Sequence, residues 1–276
     1  MATNTRYSKY GNVISYYGGK YSMLETLLPL INSHPHNVYT ETFLGGGSVF
    51  WHKNPSQIET INDHNDFVVN FYEVVKSDFE KLRVLIDSSL ISRTHKNRAN
   101  LIWKEGGDKI DRAWAFWYLA NFSHSSKLDG GLKYSNEIYS SVPKQLSRKK
   151  ADFTNLLVQR IENAVIENRD AIWVLETRNK SDALHFIDPP YIGADQGHYR
   201  GYTKADAIKL LDFLSSCRGA FIMTCYEFPE LIEFADRQVW NLQRLDTPIY
   251  ALNGKRRKTE VIVSNFQHNQ FQMDFN

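Results

Sequence analysis

Apolar residues recur along this chain with two different periods, and the changes between them mark its elements. Val38–Thr42 is β-branched and aromatic and predicts a short strand. It runs into Phe43 and the glycines Gly45, Gly46 and Gly47, after which Ser48–Trp51 opens a helix. Gln57–Asn62 predicts a second strand, ending at Asn62–Asn65, and Asp66–Val75 a helix. Strand, glycine turn, helix and strand in this order make a βαβ unit, the seed of a parallel sheet. The same rhythm returns later. Leu184–Asp188 predicts a strand and Lys204–Ser216 an amphipathic helix with Ala207, Leu210, Leu211 and Leu214 on one side. Ala220–Thr224 predicts a buried strand, Phe228–Ala235 a helix and Thr259–Ser264 a last strand.

Between these halves the alternation stops. Phe79–Leu90 and Arg112–Phe122 have helical patterns, and Asp152–Leu175 is partly helical. Gly106, Gly107 and Pro143 punctuate the stretch, and Asp129-Gly130 between Leu128 and Leu132 suits a hairpin turn. The pattern therefore predicts an α/β body from residues 1–75 and 165–276, interrupted by a mainly helical insertion over 76–164. Trp114, Phe116, Trp117, Tyr118 and Phe122 are expected to form the core of that insertion.

Charge sharpens this division. The whole chain has a net charge of only +2, yet residues 76–164 hold 16 Lys and Arg against 10 Asp and Glu. The rest holds 17 against 21. A basic middle in a mildly acidic frame suits a surface that meets a polyanion, although a solvated helical face carries the same signature. Hydrophobic residues at 42% suffice for a sizeable core, and no apolar run approaches the roughly 18–20 residues of a membrane span. Residues 1–10 are polar and lack the apolar stretch of a signal peptide. Cys217 and Cys225 are the only cysteines, so a disulfide framework is not expected and a reduced, cytoplasmic setting is. The nine histidines have no ligand-like spacing, so no metal site is expected.

Two places carry chemistry. Glycines between a strand and a helix let the backbone approach a ligand closely, and Asp63, 16 residues beyond Gly47, stands where an acid can accept both hydroxyls of a ribose. A solvent-facing turn acid is the plain alternative for Asp63. The stronger feature is Asp188-Pro189-Pro190-Tyr191, at the carboxyl end of an apolar strand. The prolines fix φ and remove two backbone donors while their carbonyls remain as acceptors. An aromatic amine is a poor nucleophile because its lone pair is delocalised into the ring. Two acceptors against its N–H bonds, Asp188 and the Pro189 carbonyl, favour a pyramidal nitrogen with a localised lone pair. Tyr191 offers a ring face for stacking a base.

Together these motifs resemble the Dam-like family of DNA N6-adenine methyltransferases. Tyr16–Lys20 is similar to that family's N-terminal cofactor motif, Glu41–Phe50 to its glycine-loop motif, Asn62–Asn65 to its acidic ribose motif and Asp188–Tyr191 to its catalytic tetrapeptide. The resemblance implies a Rossmann-like class I methyltransferase sheet with an inserted, mainly helical target-recognition domain. It implies S-adenosyl-L-methionine as methyl donor, double-stranded DNA as partner and adenine-specific methylation of a flipped base. It leaves open a cognate restriction endonuclease in a restriction-modification pair. By position, Tyr16, Lys20, Phe43, Gly45, Gly46 and Gly47 should line the cofactor pocket, with Lys20 near the methionine carboxylate. Asp63 should hold the ribose, Asp188 should stand between cofactor and amine, and Tyr191 should stack on the adenine. Thr42 and Gly46 replace the family's frequent Pro and Ala, and Tyr16 its more varied aromatic.

For strand contacts the sequence offers Lys127, Lys133, Lys144, Arg148, Lys149 and Lys150 in the insertion, and Lys255, Arg256 and Arg257 on a late turn. Residues 193–202, with Tyr199 and Arg200, are expected to move without DNA and close over the flipped base. Three other readings stand beside this one: the same transfer on RNA, a non-catalytic DNA-binding protein with a vestigial pocket, and a nicotinamide oxidoreductase. The last leaves Asp188–Tyr191 unexplained.

Overall fold

The computed structural model describes residues 9–135, 141–193, 201–245 and 260–267. Seven strands form one sheet: β1 (Val38–Glu41), β2 (Ile58–Asn62), β3 (Ala164–Glu167), β4 (Ala183–Ile187), β5 (Ala220–Tyr226), β6 (Asn241–Leu245) and β7 (Glu260–Ser264). Their order across the sheet is β3-β2-β1-β4-β5-β7-β6. The first five are parallel, while β7 runs antiparallel to both β5 and β6. The chain steps outward from β1 to β2 and β3, then crosses back to β4 on the other side of β1. The order therefore reverses between β1 and β4, where open α/β sheets bind ligands at the carboxyl ends of their strands. This is the Rossmann-like sheet that the resemblance implies.

Alternation along the strands explains how both faces are covered. Leu184 and Phe186 of β4, Ile222 of β5 and Ile262 of β7 pack in one cluster with Leu24, Leu27 and Ile31 of α1 (Leu24–Ser33). Their neighbours Ile187, Phe221, Met223, Val261 and Val263 join a cluster on the opposite face, against α10 (Lys204–Ser215) and α11 (Pro229–Gln238). Successive side chains point to opposite sides, so near-continuous apolar runs fit strands buried twice. The predicted stripe Ala207, Leu210, Leu211 and Leu214 is the buried side of α10. Its N-terminus is closed by a capping box between Thr203 and Asp206.

The third cluster belongs to the middle of the chain. It joins α2 (Ser48–His52) and α3 (Asp66–Ser77) to α4 (Phe79–Asp87), α5 (Arg93–Glu105), α6 (Lys109–Phe122), α7 (Val142–Asp152) and α8 (Leu156–Ile161). A short α9 (Ala171–Thr177) leads into β4. Every residue of α6 from Ala113 to Phe122 is buried, which suits a helix apolar on all sides. It packs against α3, α4 and α5, so the five expected core aromatics join Phe50, Trp51 and Tyr16 in one continuous cluster.

Three details differ from the sequence reading. The Asp129-Gly130 turn closes only a single antiparallel bridge, Ser123 to Leu132, because a 3₁₀ turn at His124–Ser126 takes up the intervening chain. Within Asp152–Leu175 lies β3, a four-residue edge strand too short for its period to be read. The polar edge strand β6 was likewise not foreseen: all five of its residues are intermediate or exposed.

Candidate active site

The glycine turn leaves β1 in a conformation that only glycine adopts cheaply. Gly45 and Gly47 have φ of 50° and 61°, in the left-handed region. A Cβ on Gly46 would stand 2.9 Å from the Ile14 carbonyl oxygen, so the turn and the segment before Tyr16 approach as backbones. The Tyr72 hydroxyl donates to the Gly45 carbonyl at 3.1 Å and braces the turn from α3.

That turn forms one wall of a cleft of about 270 Å³, and Asp188, Pro189, Pro190 and Tyr191 form the facing wall. Tyr16, Lys20, Phe43, Gly45, Gly46 and Gly47 all line it, so ten of the eleven expected catalytic and cofactor positions converge there. Lys20 is buried, and its ammonium nitrogen lies 2.7 Å from Asp188 Oδ2. It also donates to the Gly18 carbonyl at 2.6 Å and sits 4.9 Å from the centre of the Tyr191 ring. The other carboxylate oxygen of Asp188 accepts a hydrogen bond from the Thr224 hydroxyl at 2.7 Å. Asp188 is thus fixed from two sides, by an N-terminal cation and by the neighbouring strand β5.

The eleventh position, Asp63, lies behind the turn and outside the cleft lining. Its carboxylate accepts from the Gly45 N–H at 2.8 Å and the Asn65 N–H at 2.9 Å. Burial raises its pKa to about 6, against the lowering effect of those two N–H groups.

Glu41, Thr224, Tyr226 and Glu260 also line or brace the cleft and were not given roles beforehand. Glu41 ends β1, lines the cleft and is 2% exposed. The Tyr39 hydroxyl donates to it at 2.8 Å, yet burial still raises its pKa to about 8. It stands at the head of the glycine motif, at a strand's carboxyl end, and that position was a usable signal. Thr224 also stands near the end of a strand, but its role depends on β5 lying beside β4. Tyr226 and Glu260 need the antiparallel register of β5 and β7, which no local pattern reveals. In that register the two are direct partners, and the Tyr191 hydroxyl donates to Glu260 Oε1 at 2.6 Å. Burial first, then the charges of Asp188 and Glu260, hold the Tyr191 phenol well above its ordinary pKa.

The basic candidates separate by environment. Lys127 reaches the rim, its nitrogen 5.4 Å from the centre of the Tyr17 ring, itself part of the cleft lining. Lys144 and Arg148 are exposed on α7. Lys149, on the same helix, is buried and donates to the Asn12 carbonyl; burial lowers its pKa to about 7. Lys150 donates to the carbonyls of Asp87 and Ser89 at 2.6 and 2.8 Å, and Lys133 to Gln145 Oε1 at 2.8 Å. Tyr199, Arg200, Lys255, Arg256 and Arg257 lie outside the described residues. Of the expected closing segment only Gly193, Gly201 and Tyr202 are described. The Tyr202 ring stands edge-on to Phe43, with centres 6.0 Å apart.

The family described as D12 class N6 adenine-specific DNA methyltransferase matches residues 16–226, from the first cofactor motif through β5. The chain belongs to that family. The methyltransferase is 22% identical over 277 residues to the type II methyltransferase M1.LlaDCHI of Lactococcus lactis subsp. cremoris, covering 90% of this chain and 93% of the relative. It is 23% identical over 224 residues to the type II methyltransferase M.CviBI of Paramecium bursaria Chlorella virus NC1A, covering 76% and 81%. A solved structure of a methylase candidate, HI0767 of Haemophilus influenzae, aligns over 90% of the methyltransferase and 88% of its own length. That alignment has 12% identity and a TM-score of 0.38. Membership of the D12 class, with its type II relatives, means that the enzyme methylates the N6 amine of adenine in DNA. No helix among the described residues is long and apolar enough to cross a membrane.

Proposed function

We propose that the cleft binds S-adenosyl-L-methionine and presents its methyl group to an adenine flipped out of duplex DNA onto Tyr191. The observation that carries this reading is the meeting of a buried cation, a buried acid and the proline-locked carboxylate at one glycine turn. Lys20 and the Glu41 carboxyl, which ionises when an ammonium is placed against it, lie on the same cleft, as the carboxylate and ammonium of a methionine moiety require. The tight approach of Gly46 to Ile14 and the left-handed Gly47 leave backbone where a nucleoside would lie. Phe43 and Tyr16 supply apolar wall. Asp63 braces Gly45 from behind, and each of its oxygens keeps a lone pair with which to accept a ribose hydroxyl.

The donor supplies a methyl group on a sulfonium, whose positive charge makes it electrophilic. This chain supplies position and acceptors. Asp188 and the Pro189 carbonyl take the two N–H bonds of the amine, so the nitrogen lone pair points away from the ring. Thr224 keeps the carboxylate turned toward that amine. Pro189 and Pro190 hold the acceptors without competing donors. Most of the acceleration is then orientation and fixed charge.

Residues 1–75 and 165–276 act as the catalytic body, and 76–164 as the target-recognition insertion. Lys127 at the rim and the exposed Lys144 and Arg148 on α7 are the insertion's phosphate contacts. The relatives carry type II names, which supports a restriction endonuclease as companion. Asp188→Ala should abolish methylation of genomic DNA while leaving duplex affinity within about threefold, since the carboxylate contributes to transfer and not to backbone grip. Transfer at the original rate in that variant refutes the reading.

A further inference from the structure

We propose that Glu260 is a positioning residue for methyl transfer: its carboxylate fixes the tilt of the Tyr191 ring on which the target adenine stacks. This rests on the proposed stacking role of Tyr191. The backbone of Tyr191 is stiff because two prolines precede it, but its side-chain torsions are not set by that backbone. A stacking surface has to be held in one plane before the base arrives, or ordering it costs part of the binding energy.

Three contacts set that plane. The Tyr191 hydroxyl donates to Glu260 Oε1 at 2.6 Å, a short bond to a carboxylate of the charge-assisted kind. The Tyr226 ring meets Tyr191 edge-on, with centres 4.6 Å apart and planes at 65°. The Lys20 ammonium lies 4.9 Å from the ring centre. Glu260 and Tyr226 are partners in the β5–β7 register, so one pair of residues on the antiparallel strands grips both the tip and the edge of the ring. Both line the same cleft as the catalytic tetrapeptide. Antiparallel pairing of β7 thus has a local use: it brings an acid from late in the chain to the Tyr191 hydroxyl.

The experiment uses the full-length enzyme and a duplex carrying its own methylation site, read from DNA of a host expressing it. kcat is read on the adenine duplex; in a second duplex 2-aminopurine, which lacks the 6-amino group and is not methylated, replaces the target adenine so that its emission reports the stacking of the flipped base. Glu260→Ala should raise the emission of the bound base and lower kcat about tenfold, the effect of losing one positioning hydrogen bond, with KM for DNA changed less than about threefold. Glu260→Gln keeps an acceptor for the hydroxyl and should restore both readouts. Tyr191→Phe, which leaves β7 untouched, should reproduce the Glu260→Ala values, and combining the two should add nothing. The Tyr191→Phe result stands in if Glu260→Ala fails to fold. Wild-type emission and kcat in both Glu260→Ala and Tyr191→Phe overturn the proposal. A Glu260→Gln variant as impaired as Glu260→Ala also overturns it, because the charge would then act on something other than the ring. Tyr191→Ala separates the two layers: unchanged emission there removes the stacking role itself.

Discussion

Glu41 links occupation of the cleft to pH, and the linkage can be worked out from its surroundings. Its carboxyl is 2% exposed, accepts one hydrogen bond from Tyr39 and has a pKa raised to about 8 by burial. At pH 7 such a group is roughly nine-tenths protonated in the free protein. An ammonium placed against it favours the charged form, so binding must expel the proton. That expulsion costs about 1.4 kcal/mol at pH 7, one pH unit below the pKa, or a factor of about ten in Kd. S-adenosylhomocysteine carries the same amino-acid group as the donor and cannot turn over, so it serves as ligand. Its Kd should tighten about tenfold per pH unit between pH 6 and 7 and level off near 8. Calorimetry at pH 7 in buffers of different ionisation enthalpy should register release of about 0.9 proton per site. Glu41→Gln should bind about ten- to hundredfold more weakly at pH 8, having lost a charged hydrogen bond worth ~1.5–3 kcal/mol, and should show neither the slope nor the proton release. A wild-type Kd that is flat from pH 6 to 8, or proton release surviving in Glu41→Gln, refutes the assignment.

Other residues give independent tests. Thr224→Val removes the hydroxyl that holds Asp188 Oδ1 while keeping the buried shape; kcat should fall about tenfold with cofactor and DNA affinities nearly unchanged, and steady-state kinetics would detect any other split. Asn121 accepts from the Ser15 N–H at 2.9 Å and donates to the Val13 carbonyl at 3.1 Å. Asn121→Ala should cost about 3 kcal/mol in chemical denaturation, because two buried backbone groups lose their partners, and should weaken S-adenosylhomocysteine binding through the loosened Tyr16–Lys20 segment. Lys149 has its folded pKa lowered to about 7 by burial, so the unfolded chain binds the extra proton between about 7 and the unfolded value near 10.5. Its contribution is lost as pH falls through about 7. The stability of the wild type minus that of Lys149→Met should therefore rise by about 1 kcal/mol per pH unit from pH 7 to 9 in urea titrations, and a constant difference would exclude it.

The parts of this enzyme legible in its sequence are those set by neighbours along the chain. The βαβ unit shows because Val38–Glu41, the glycine turn and Asn62–Asn65 follow one another within 30 residues. The tetrapeptide Asp188–Tyr191 shows because two adjacent prolines have one stiff geometry wherever they occur. The charge excess of the middle segment was visible, but its division was not. Whether a lysine on α7 is exposed, as Lys144 is, or donates to a carbonyl distant in sequence, as Lys149 and Lys150 do, depends on packing over more than 60 residues. Thr224 and Glu260 were hidden for the same reason. Each acts on the tetrapeptide across a strand pairing, and pairing order is a property of the sheet. Asp63 shows the reverse case: the residue was found, and the structure adds that its oxygens already serve the backbone of Gly45 and Asn65.

Helix α6 has a consequence for anyone who would change which DNA site the enzyme marks. It is buried on every side from Ala113 to Phe122, its Phe116 ring stands 5.6 Å from that of Tyr16, and its Asn121 ties down the strand of chain leading to Lys20. On the proposed assignment of 76–164 to target recognition and of the cleft to the methyl donor, exchanging those residues wholesale for a relative's would remove α6 and loosen the segment ahead of Lys20, so the chimera should lose donor binding before its choice of sequence could be tried. Retargeting by transplantation should keep this helix as native scaffold and swap only the chain beyond Ser123.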